Sequence, residues 1–155
     1  MPRQLTPERE KEYQELLAFA DFYTGIKFLS NPKNVALEPP DFKKAAAEIV
    51  LKYGKSKALI GVRQAVNDIV EDLSEKSPEY VELLNEGLQA AGLLTVAEIR
   101  SRYATSYKRI LRRKAIKNET EYYVVNGLVV DQANALNDKD RAALQSMLDA
   151  YEANL

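Results

Sequence analysis

Cysteine and histidine are both absent from the 155 residues. Without cysteine there is no disulfide and no thiolate to bind a metal or attack a substrate. Without histidine the chain lacks the commonest general base and the commonest metal ligand, so nucleophile–base arrangements built on either residue are excluded. No phosphate-cradling glycine run of Walker or Rossmann type occurs, because the six glycines stand apart at positions 25, 54, 61, 87, 92 and 127. No stretch approaches the roughly 18 apolar residues of a membrane span. The opening MPRQLTPEREKEY is charged where a secretory signal would be apolar. These absences lead to the expectation of a cytoplasmic protein that is not an enzyme, binds no cofactor, metal or membrane, and works by binding a partner.

What is present is ordinary in amount. Apolar residues make up 46% and charged residues 29%, the mix of a soluble globular protein of one domain, residues 1–155. The net charge of −1 gives no overall polyelectrolyte character.

The pattern is that of a mainly α protein, a single helical domain of six or seven helices. Thr6-Pro7-Glu8 reads as a cap, a first-turn proline and an acid at the positive end of a helix running to about Leu29. Leu16, Ala20, Tyr23 and Lys27 follow one face of that helix, and Phe19, Phe22, Ile26 and Leu29 another. Two apolar faces suit a central strut of the core, or a homodimer seam along 7–29. Residues 30–40 hold half of the six prolines and must be a loop. Further helices are expected over Asp41–Tyr53, over Ser56–Glu75 with the stripe Leu59, Val62, Val66, Ile69 and Leu73, from Ser77-Pro78-Glu79 to Gly92, from the capping box Thr95–Glu98, and from Asn137 with Leu144, Met147, Leu148 and Tyr151 inside.

Residues 118–131 carry two conflicting signals. Tyr122 to Val125, then Asn126-Gly127, then Leu128 to Val130 spell a β-hairpin with a two-residue turn, at about 121–131. Asn118 with Glu121 three residues on spells a helix start, and Tyr122, Val125 and Val129 then share one face. The balance falls slightly to helix, because an isolated two-stranded hairpin needs a surface to pack on.

The unusual feature is the charge distribution. Between Arg100 and Lys117 there are eight basic residues and no acid, so with a net charge of −1 the rest of the chain carries −9. At about 100° per residue, Val96, Ile99, Tyr103, Tyr107, Ile110 and Leu111 form the core side of a helix, and Arg102, Lys108, Arg109, Arg112 and Arg113 the opposite side. Glu98 is placed to pair with Arg102 one turn later. Crowded like charges need compensation, by solvent and salt, by acids within the chain, or by a partner. The internal candidates are Asp68, Glu71, Asp72 and Glu75 on the third helix and Glu79, Glu82 and Glu86 on the fourth. Arg outnumbers Lys on the basic face, and guanidinium pairs with carboxylate and phosphate in a two-pronged way.

The favoured reading is a non-enzymatic interaction protein, of adaptor, inhibitor or immunity type, that binds a protein with an acidic surface through Arg102, Lys108, Arg109, Arg112 and Arg113. Tyr122 and Tyr123 are the nearest large side chains to flank that face. The alternative partner is nucleic acid: the order of a helix over 95–103, a recognition helix over 106–114 and a wing over 122–130 resembles a winged helix. Against it, Tyr103 and Tyr107 continue one uninterrupted stripe, as a single helix over 95–114 would require.

Two carboxylate arrangements bear on chemistry. Glu119 and Glu121 with Tyr122 and Tyr123 have a spacing that does not differ from ordinary cap and packing residues. Glu71-Asp72-Leu73-Ser74-Glu75 resembles the acidic motif of the all-α, magnesium-dependent nucleotide pyrophosphohydrolases, in which such carboxylates would hold Mg²⁺. That family also carries a Glu-x-x-Asp on a following helix; here the nearest match, Glu82 to Asn85, ends in Asn.

Overall fold

The computed structural model describes residues 4–131 and 136–155, without the side chains of residues 103–106. The described residues form seven α-helices and no strand: α1 (Pro7–Leu29), α2 (Phe42–Tyr53), α3 (Lys55–Ser74), α4 (Pro78–Ala90), α5 (Val96–Arg113), α6 (Glu119–Val130) and α7 (Asp138–Ala153). A short 3-10 turn at Pro32–Asn34 interrupts the proline-rich connection.

The helix starts are set locally. The side chains of Thr6, Asp41, Thr95, Asn118 and Asn137 each accept a hydrogen bond from the backbone N–H three residues on. These bonds satisfy donors that the first turn leaves open. Thr95 and Glu98 cap each other reciprocally. Gly54 and Gly92 close α2 and α4 with φ of 89° and 71°, a backbone that glycine adopts without steric cost. α5 ends differently, on Lys114 with φ 64° and ψ 20°, a left-handed conformation that a side chain disfavours.

The chain divides into two compact units, Met1–Ile69 with Gly87–Leu94, and Val70–Glu86 with Thr95–Leu155. In the first unit α1 is the strut that its two apolar faces suggest, with Tyr13, Leu16, Leu17, Phe19, Ala20 and Tyr23 buried. Ala58, Leu59, Val62, Val66 and Ile69 of α3 are buried in the same unit. Along the proposed dimer seam on α1, Tyr13, Leu16, Leu17, Phe19, Ala20 and Tyr23 are covered inside one chain, Phe22 and Ile26 are half-buried, and Leu29 is 72% exposed. Two ion pairs brace the unit. Arg63, itself buried, donates through Nε and Nη2 to the Glu12 carboxylate at 2.7 and 2.8 Å. Lys55 Nζ donates to both oxygens of Glu10 at 2.9 Å, and this holds the Glu10 carboxyl below its usual range.

The second unit is built on Ile110 of α5, Val125 and Leu128 of α6, and Leu144, Met147 and Leu148 of α7. Here the conflict over residues 118–131 is resolved as a helix. Asn118 Oδ1 accepts from the Glu121 N–H at 3.0 Å, and Asn126-Gly127 lies inside α6 rather than at a turn. The helix sets Val125 and Leu128 on the side that packs with Ile110 and Leu144, and the Asn118 cap starts it. At the far end of α6, Arg141 of α7 donates to the carbonyl of Val129 at 2.6 Å and to that of Asp131 at 3.3 Å. A cation on the open carbonyls of a helix C-terminus complements the helix dipole.

Candidate functional site

α5 carries the basic face, and it is one unbroken helix from Val96 to Arg113. Val96, Ile99 and Ile110 are buried and Tyr107 and Leu111 half-buried, as the periodicity of the sequence requires. The Tyr103 side chain lies outside the described residues. Arg102, Lys108, Arg109, Arg112 and Arg113 are all exposed, on the side away from that core.

The five cations nevertheless fall into different situations. Arg113 Nη2 donates to Glu121 Oε1, and the same carboxylate accepts the Lys117 N–H at 2.8 Å. Glu121 is 8% exposed, so Arg113 serves as the counter-ion of a buried carboxylate and belongs to the fold. Arg102 is engaged as well. Lys108, Arg109 and Arg112 make no hydrogen bond or ion pair through their side chains among the described residues. They sit within a sector of about 100° on the helix. The candidate site is therefore this trio.

Two acids that the sequence did not single out as counter-ions neutralise Arg113 and Arg100. Besides Glu121, Asp131 takes Arg100: Nε donates to Oδ2 at 2.7 Å and Nη2 to Oδ1 at 3.2 Å, with Asp131 1% exposed. Both of these acids come from the two ends of α6. The one available signal was that Glu121 and Asp131 bracket an apolar run directly after the basic segment, a placement suited to an antiparallel helix that meets it.

Tyr122 and Tyr123 lie on α6 in a small aromatic group. The Tyr122 ring stacks on Tyr151, with centroids 5.3 Å apart, and meets Tyr123 edge-on at 5.3 Å. Its hydroxyl donates to Glu152 at 2.7 Å. That bond to a carboxylate, helped by partial burial, pushes the Tyr122 phenol up to about 12. Such a group holds its proton and is a poor acid or base near neutrality.

The carboxylates of α3 do not converge. Glu71 and Glu75 are exposed, Glu75 lies beyond the end of the helix, and no group of three or more acids among the described residues could hold a metal ion. Asn85, where the pyrophosphohydrolase pattern would have Asp, is used otherwise: its Oδ1 accepts the Val96 N–H at 2.8 Å and ties α4 to the start of α5. Among the described residues the winged-helix order of elements is not formed. Its turn falls inside the continuous α5, and its wing is α6. No helix of the described residues is long and apolar enough to cross a membrane. Compared with protein-family models, curated proteins and solved structures, the chain matches none.

Proposed function

We propose that this chain is a non-enzymatic interaction protein that docks on an anionic protein surface through Lys108, Arg109 and Arg112 of α5. One contrast carries the reading. On a single helix, Arg100 and Arg113 are neutralised by buried acids, while these three exposed cations have no counter-ion among the described residues. Holding three like charges together costs free energy that an acidic partner would return. Charge of this kind chiefly speeds and orients encounter, and two guanidinium groups add directional pairing with carboxylates.

The test compares the wild type with Lys108→Glu/Arg109→Glu/Arg112→Glu in affinity capture, followed by association kinetics with the recovered partner at low and high salt. The expected result is a partner retained by the wild type alone, with an association rate that falls as salt rises. Equal capture by both proteins overturns the reading. Recovery of nucleic acid in place of an acidic protein would replace the partner class.

A further inference from the structure

The second unit leaves charge of both signs unpaired, on two different helices. Glu79, Glu82 and Glu86 of α4 are exposed and have no ion pair among the described residues. On the helix they fall, with Leu83, in a sector of about 100° that points away from the buried Leu84. Leu83 is 68% exposed, an apolar side chain among three carboxylates. The trio of α5 stands in the same compact unit. The bond from the Val96 N–H to Asn85 fixes the start of α5 against α4.

We infer that the anionic surface met by α5 is the α4 face of a second copy of this chain, in a weak, salt-sensitive homodimer. The inference rests on the docking role proposed above and names its partner. Each copy carries both the acidic and the basic face, so a two-fold arrangement makes the same contact twice. The spacing matches: Glu82 and Glu86 are one helical turn apart, as are Lys108 and Arg112, about 6 Å along each axis. Leu83 would be covered at the centre of the contact, where burial adds to affinity, while the surrounding charge pairs set orientation. With a net charge of −1 for the whole chain, two copies do not repel each other at long range.

The experiment is sedimentation of the full chain at low and high salt, with two variants: Lys108→Glu/Arg109→Glu/Arg112→Glu, and Glu79→Lys/Glu82→Lys/Glu86→Lys. The wild type is expected to dimerise at low salt and dissociate at high salt. Each variant alone should associate at least about tenfold more weakly. An equimolar mixture of the two should recover a dimer, since every acidic face then meets a basic one. A wild type that stays monomeric at low salt, or a mixture that stays monomeric, overturns the inference. If the wild type is monomeric and the α5 variant still loses its captured partner, only the second-copy inference falls; if capture is also unchanged, the docking reading falls with it. Helical circular dichroism confirms folding, and should a Lys variant lose it, Glu79→Gln/Glu82→Gln/Glu86→Gln provides the same loss of dimer without reversed charge.

Discussion

Arg100 on the second turn of α5 and Asp131 directly after α6 form a two-pronged ion pair, with the carboxylate 1% exposed. The pair clamps the start of one helix to the end of the next. Desolvating a carboxylate this deeply is offset by the guanidinium that pairs with it. The same logic holds at the opposite end of α6 for Arg113 and the buried Glu121.

Removing one partner of the clamp should therefore be costly. Arg100→Ala leaves Asp131 buried without its guanidinium, and urea unfolding should show a loss of about 3–5 kcal/mol. Arg100→Met combined with Asp131→Leu should lose less than Arg100→Ala alone, because no charge is then left buried.

Lys114 is the one described non-glycine residue with positive φ, and its N–H bonds to the carbonyls of Ile110 and Leu111 to end α5. Lys114→Gly keeps those bonds and removes the Cβ clash of the left-handed backbone. A stability gain of about 1 kcal/mol is expected in thermal unfolding, and loss of stability would contradict the assignment of this cap.

Two glycines should respond in opposite directions. At Gly61, inside α3, a Cβ meets nothing within 4 Å, so Gly61→Ala should stabilise by about 0.5–1 kcal/mol through helix propensity and a less free unfolded chain. Gly92 has φ +71°, and Gly92→Ala should lower the melting temperature although the site is equally open.

The Tyr122–Glu152 bond makes a prediction about pH. Its phenol, pushed up to about 12, holds its proton more tightly in the folded chain than in the unfolded one. The stability this contributes is whole below about pH 10, the ordinary tyrosine range, and is lost as pH climbs towards about 12. In an NMR titration of ring-labelled tyrosine, Tyr122 should ionise late, and Glu152→Gln should bring it back towards the ordinary tyrosine range.

Much of this architecture is legible without coordinates because it is decided within a turn. The caps at Thr6, Asp41, Thr95, Asn118 and Asn137 each join a side chain to a backbone three residues away, and the buried row of α7 follows from spacing alone. Periodicity likewise tells which side of α5 its cations occupy, since side-chain direction relative to its own helix is a local property. Residues 118–131 are different. There the local signals oppose each other, and the outcome depends on Ile110 and Leu144 being present to receive Val125 and Leu128. Which cations of α5 remain uncompensated depends on a still longer relationship. Glu121 and Asp131 lie 8 and 31 residues from the arginines they neutralise. Such pairing is set by where another helix comes to rest, through burial of side chains far apart in the chain, and no spacing within α5 encodes it.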